Sequence, residues 1–265
     1  MQSTICKKDL IKRSFSKASA TYDTFSHLQK EVNLHLLSLV PQGAFKRVLE
    51  IGCGTGNFTK QLVASRNIDR ILGIDLSFDM LIKAEENLRQ TTTEFYPICC
   101  DGEHICLKTE TEFDLIVSAS CMHWFQNLPG SLESICKNHL AQNGHIVCAL
   151  FGKRTLVELE QVIKTLYGKK DFFLPASDFP TKTEIQGLLK DILKDFYVES
   201  VTIERKYPNL MELLLALKKT GTATPAGARP IFYSKGTIKE ADKIYRDLFG
   251  SIRATYQVIF LRAQG

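Results

Sequence analysis

Residues 48–58 read VLEIGCGTGNF, an apolar run that closes on Glu50 and Ile51 and then meets three glycines, Gly52, Gly54 and Gly56, spaced two apart. Glycine is required where a backbone turns through positive φ, or where a ligand lies against the chain with no room for a Cβ. A helix follows from about residue 57, so its first amides face whatever the loop holds. A strand, a glycine loop and a helix in that order restrict the chain to few architectures, chiefly alternating strands and helices around a mainly parallel sheet.

The rest of the chain keeps that alternation. Phe25, Leu28, Val32, Leu36 and Leu39 recur at helical spacing over 24–39, and Pro41 stops the run. Strands are predicted at about 47–52, 70–75, 94–99, 113–119 and 145–151. Helices are predicted from 57, over 77–89 with Ser77 as its cap, and over 131–140. After Phe151 the rhythm changes, with helices at about 154–166, 181–194, 209–219 and 237–248 and strands at 197–205 and 254–262. The segment TGTATPAGARP, 220–230, reads as a loop. The expectation is one domain over 1–265, with an amino-terminal helical lid over 1–40 and lid-forming insertions over 152–250.

Composition excludes several classes. At 265 residues and 44% apolar side chains the chain can bury a sizeable core, and no apolar run has the length of a membrane span. The first fifteen residues lack the apolar centre of a secretory signal, so a cytoplasmic location is expected. Net charge is +5, from 34 basic and 29 acidic residues, which is too mild for a dedicated nucleic-acid binder. The excess is local: Lys7, Lys8, Lys12, Arg13, Lys17 and Lys30 crowd the first thirty residues. Eight cysteines, at 6, 53, 99, 100, 106, 121, 136 and 148, include no close CxxC pair. Free thiols are expected, and no metal site.

Two cofactor classes use a glycine loop of this kind. The dinucleotide fingerprint places its third glycine one position later, where this chain has Asn57. The G-x-G-x-G spacing after Glu50 resembles instead the first motif of class I S-adenosylmethionine-dependent methyltransferases. Asp75 ends the next strand, 23 residues after Gly52, where both classes use an acid to accept from ribose hydroxyls. CCDGEHICL, 99–107, and FDLIVSASCMHWF, 113–125, are similar to the next two motifs in order. The resemblance implies a Rossmann-like sheet, mostly parallel with the last strand antiparallel, with helices on both faces. It also implies a cofactor site at Glu50, Gly52, Cys53, Gly54, Gly56, Asp75, Leu76, Met80, Asp101, Gly102 and Ser118. The implied product is S-adenosyl-L-homocysteine.

Outside these motifs, SFSKASATYDTFSHLQKEVNLHLL, 14–37, resembles the opening signature of malonyl-[acyl-carrier-protein] O-methyltransferases of biotin synthesis. SASCMHWFQNL, 118–128, LFGKRTLVELEQ, 150–161, and LLLALKKTGTATPAGAR, 213–229, are variants of later segments of that family. Ala119 and Phe125 replace its usual Asn and Cys, and Lys219 and Thr220 replace Gly and Ile. The resemblance implies that Tyr22, Lys218 and His123 serve the transfer and that Trp124 and Arg229 line the acceptor. The acceptor would be malonyl carried on acyl carrier protein, an acidic partner suited to the basic amino-terminal helix or to the Lys218–Lys243 region.

Such a reaction asks little of acid–base chemistry. A malonyl carboxylate, with a reference pKa near ~4, is already an anion at neutral pH, and the sulfonium methyl is already activated. Alignment and exclusion of water remain, and positioning can supply on the order of 7–11 kcal/mol. The lack of a Ser/His/Asp or paired-carboxylate constellation agrees with this. Two alternatives stay open: methylation of another small acid or a hydroxyl, and a non-catalytic S-adenosylmethionine-binding regulator.

Overall fold

The computed structural model describes residues 7–168, 174–223, 232 and 234–265. Three helices precede the first strand: α1 (Lys7–Ala18), α2 (Tyr22–Phe25) and α3 (His27–Leu39). The apolar period over 24–39 predicts one helix, but the chain breaks at Ser26 and α3 begins at His27. Gln29, Val32, Asn33 and Leu36 are buried along α3 at the three-to-four spacing of a helix packed on one side. Val40 leaves the helix in an extended conformation, as expected for a residue before proline.

Strands and helices then alternate: β1 (Ala44–Ile51), α4 (Asn57–Ser65), β2 (Asn67–Asp75), α5 (Phe78–Leu88), β3 (Glu94–Cys99), β4 (Phe113–Ala119), α6 (Leu128–His139) and β5 (Leu140–Phe151). The chain continues through α7 (Val157–Tyr167), α8 (Lys182–Ile192), β6 (Asp195–Tyr207), α9 (Leu210–Lys219), α10 (Lys235–Phe249) and β7 (Ile252–Gln264). The seven strands form one sheet in the order β3-β2-β1-β4-β5-β7-β6. β1 pairs in parallel with β2 and β4, β2 with β3, and β4 with β5. The last strand runs the other way. Asn143 and Gly144 exchange backbone hydrogen bonds with Gly265, whereas Gly152, just past the end of β5, donates to Gln257. The sheet expected from the motifs is the sheet observed.

Caps explain where the boundaries differ. α6 starts at Leu128 because the Asn127 side chain accepts from the Gly130 amide and a proline sits in the first turn. Ser77 caps α5 as expected, its hydroxyl accepting from Met80 N at 3.3 Å. Thr181 and Glu184 form a reciprocal capping box on α8.

Packing divides the chain into two compact units. One comprises Ser26–Leu150, Pro180–Ser200 and Ile259–Gly265. Its core is built from strand residues covered on both faces, as central parallel strands require: Leu49, Ile51, Ile74, Phe113, Ile116, Ile146 and Cys148 are each wholly buried. The other comprises Met1–Phe25, Phe151–Phe179 and Val201–Val258. There α7 packs on α10, and the buried Glu158 carboxylate accepts from the Thr255 amide at 3.0 Å. In the same unit Thr21 Oγ1 donates to the Lys219 carbonyl at 3.0 Å, fixing α2 to the end of α9. Among the described residues no helix is long and apolar enough to cross a membrane.

Candidate functional site

The site is built on the carboxyl ends of β1, β2 and β4. As β1 ends, Gly52 N and Cys53 N both donate to the Ile74 carbonyl, at 2.7 and 3.0 Å, which folds the loop onto β2. Gly52, Gly54 and Gly56 have φ of +74°, +54° and +77°. Their reasons for being glycine differ. A Cβ on Gly52 would lie 2.3 Å from Cys121 Cβ, and one on Gly56 would lie 3.2 Å from Ala84 Cα. A Cβ on Gly54 would meet nothing within 4 Å. The first and last are therefore packing glycines, and Gly54 borders open space.

Asp75 organises that space. Its Oδ2 accepts from Gly54 N at 2.9 Å and its Oδ1 from Ser77 N at 2.8 Å. A carboxylate has about four lone-pair sites, so acceptor capacity remains for a ligand. Burial raises the Asp75 carboxyl to about 6 although the Ser77, Gly54 and Leu76 amides pull it down. Glu50, on the adjacent strand, is wholly covered. Its Oε2 accepts from Thr59 Oγ1 at 2.7 Å, and its Oε1 finds no partner among the described residues. Burial pushes Glu50 up to about 8, with the Thr59 bond opposing and the Asp75 charge adding.

The third motif contributes a tight turn. Asp101 Oδ1 accepts from Glu103 N at 3.0 Å, and His104 Nδ1 lies 3.4 Å from Asp101 Oδ2. A Cβ on Gly102 would lie 2.7 Å from Ile51 Cγ2, so this glycine too is required by packing. Gly52, Gly54, Asp75, Leu76, Asp101 and Gly102 are all partly exposed and together form the reachable rim.

Five residues expected to touch a cofactor are covered instead, Gly56 among them. Met80 is 1% exposed, Cys53 5%, and Glu50 and Ser118 0%. Met80 fills the core under α5. Ser118 Oγ donates to the Ile51 carbonyl at 2.9 Å and so ties β4 to β1. These side chains hold the loop in shape and offer a ligand no surface. His123 lies in a short 3-10 turn, Met122–Trp124, with its ring 5.2 Å from that of Trp124. From the sequence, His123 can be either a histidine that titrates near neutrality or a packed one. Burial lowers it to about 3, so it is neutral at physiological pH.

In the other unit, half-buried Tyr22 opens α2, and exposed Lys218 stands in the last turn of α9. Lys219 lies over the Phe25 ring at 5.7 Å. Arg229 lies outside the described residues. Among the described residues no group of three or more His, Cys, Asp or Glu is arranged to hold a metal.

Sequence reasoning missed three contributors. Thr59 holds Glu50, Cys121 fills the space Gly52 leaves, and Ser120 takes a left-handed conformation, φ +60°. None belongs to a residue type that announces such a role.

Comparison with known proteins agrees with this geometry. A family profile described as "Methyltransferase domain" matches residues 48–144. A malonyl-[acyl-carrier protein] O-methyltransferase from Bacillus cytotoxicus is 28% identical over 263 residues, covering 96% of this chain and 90% of that protein. A relative from Haemophilus influenzae carries the same name. Arginine-hydroxylase NDUFAF5 of Danio rerio is 26% identical, covering 96% of this chain and 80% of its own length. Among solved structures, Haemonchus contortus phosphoethanolamine N-methyltransferase 2 in complex with S-adenosyl-L-methionine superimposes with a TM-score of 0.61 at 16% identity. That match covers 99% of this chain and 60% of the other.

Proposed function

Taking the chain as a class I methyltransferase, related along nearly its whole length to malonyl-[acyl-carrier protein] O-methyltransferases, we propose that it methylates the free carboxylate of a malonyl thioester on acyl carrier protein. S-adenosylmethionine is the methyl donor. The observation that carries this reading is the pairing of an open glycine face at Gly54 with the carboxylate of Asp75, whose amide bonds fix it beside that face. The residues fit a nucleoside: Asp75 has acceptor capacity for two ribose hydroxyls, and Asp101 at the next strand end has capacity for an amino group.

The bound donor supplies an electrophilic methyl on a sulfonium. The chain's own residues bind and orient. Gly54 leaves room for close approach, and Asp75 and Asp101 fix the nucleoside end; for the acceptor carboxylate the family resemblance offers Tyr22 and Lys218. Trp124, just past β4, borders the acceptor. No side chain has to take a proton, because the acceptor is an anion at neutral pH. A neutral His123 is consistent with that economy: it shapes the 3-10 turn and carries no charge to the site.

Methylation removes the terminal charge of the malonyl group. A charged end would be costly to bury in an apolar elongation tunnel, and the ester can be elongated as a primer for pimeloyl and biotin synthesis. The carrier is acidic, and Lys12, Arg13 and Lys17 lie exposed along α1, whose Ile11 and Ala18 are buried. This helix is the proposed docking face, in the cytoplasm.

The test is mass spectrometry of malonyl-carrier after incubation with the donor. The expected result is a gain of one methylene, about 14 mass units of covalent modification, removed by mild base. An unmodified carrier, with the label on a different acid, a hydroxyl or a protein arginine, overturns the reading.

A further inference from the structure

The turn after β4 carries a cost that no hydrogen bond to the Ser120 side chain repays among the described residues. Ser120 has φ +60°, a conformation rare for a residue with a Cβ. Its amide is held by the Ala149 carbonyl of β5 at 2.9 Å, which fixes the backbone. Its hydroxyl oxygen is buried and finds no hydrogen-bond partner among the described residues. A buried hydroxyl without a partner destabilises a fold, and native structures keep few of them. Next in sequence, Cys121 sits against Gly52, so Ser120 directly adjoins the residue that packs on the glycine loop. Ser118, two residues earlier, is satisfied by the Ile51 carbonyl, which shows that the region can pair a serine when structure alone asks for it.

We infer that Ser120 is a ligand-positioning residue whose hydroxyl is reserved for a carboxylate bound at the end of β4. The inference rests on the methyltransferase reading and deepens it. Two carboxylates meet at such a site, the amino-acid end of the donor and the acid of the acceptor. The hydroxyl donates to one of them, and the left-handed backbone is the strain that presents it.

The experiment compares the wild type with Ser120→Ala and Ser120→Gly in the full chain. Thermal melting without ligand is read first, then titration with S-adenosylmethionine, with S-adenosylhomocysteine and with decarboxylated S-adenosylmethionine, then KM for malonyl-carrier. Ser120→Ala should melt at or above the wild-type temperature, because the orphaned hydroxyl is gone. Ser120→Gly should also melt no lower, since it removes the hydroxyl and relieves the backbone. Both should bind more weakly by about tenfold, the size of one hydrogen bond to a charged group.

If the donor's carboxylate is the partner, the loss appears in the two intact compounds and vanishes with the decarboxylated one. If the acceptor's is, donor affinity is unchanged and KM rises tenfold. A fall in melting temperature with affinity and KM unchanged overturns the assignment and makes Ser120 structural. Failure of the wild type to bind any sulfonium nucleoside would instead overturn the methyltransferase reading itself.

Discussion

The ends of β1 and β4 solve one geometric problem in two ways. Both leave the sheet through left-handed residues. After β1 the left-handed positions are glycines, at +74°, +54° and +77°. After β4 the position is Ser120, at +60°, where a Cβ raises the cost by roughly 1–2 kcal/mol. The difference teaches that backbone freedom and side-chain chemistry compete at a strand end. Where the backbone itself faces the ligand, glycine prevails. Where a polar atom is to be delivered, the fold tolerates the strain. The two ends also interlock, because Cys121 occupies the volume that Gly52 leaves empty.

The largest effect is expected where they interlock. Gly52→Ala puts a methyl 2.3 Å from Cys121 Cβ and Sγ at positive φ. It should cost on the order of 3 kcal/mol in urea unfolding and abolish donor binding. Adding Cys121→Gly should return part of that stability but not the φ cost. If the double variant is no better than the single one, the two strand ends are not coupled through this contact.

Next comes Asp75→Asn, which keeps the size but leaves only one oxygen for the Gly54 and Ser77 amides. Donor affinity by calorimetry should fall roughly 10–100-fold. Gly54→Ala separates loop folding from ligand contact. With nothing within 4 Å of the added Cβ, stability should drop by only about 1 kcal/mol, while affinity drops far more. Equal losses at Gly52 and Gly54 would erase the distinction drawn between a packing glycine and a ligand-facing one.

A smaller effect concerns pH. Burial raises Glu50 from its ordinary 4.5 to about 8, so the folded chain holds a proton that the unfolded chain gives up. The ligand-free protein should therefore lose stability as pH rises from about 4.5 to about 8, by at most ~1.4 kcal/mol per pH unit from this group. Asp75 adds a similar fall between 3.8 and about 6. Glu50→Gln should flatten the upper part of that curve and raise the melting temperature at pH 8. An unchanged slope would mean that Glu50 is ionised in the fold.

The smallest expected effect is at His123. With its pKa lowered to about 3, it should add no inflection to the rate between pH 5 and 8. His123→Gln should leave the shape of the pH profile unaltered. A lost inflection would put a titrating histidine back in the site.

The glycine side of this comparison was legible in the sequence because glycine is the cheap solution to positive φ, and cheap solutions leave a composition signal. The mainly parallel sheet and the reversed β7 followed from the resemblance that the same motifs carry. Covered and reachable side chains were not separable: Glu50, Ser118 and Met80 sit at motif positions, yet burial makes them supports. For His123 the sequence left a titrating and a packed histidine both open, because it gives the residue's type and neighbours but not its desolvation. Ser120 was invisible, since nothing in a serine marks a left-handed turn. The break at Ser26 escaped because α2 is a single turn, shorter than the apolar period around it can reveal.

The central claim is that the loop of three glycines, with Asp75, holds a sulfonium nucleoside. Isothermal titration of the wild-type chain with S-adenosylmethionine, and separately with a nicotinamide dinucleotide, tests it most directly. The account predicts saturable binding of S-adenosylmethionine at one site per chain, lost in Gly52→Ala, with no heat from the dinucleotide. Binding of the dinucleotide in its place, or no binding of S-adenosylmethionine at millimolar concentration, would contradict it.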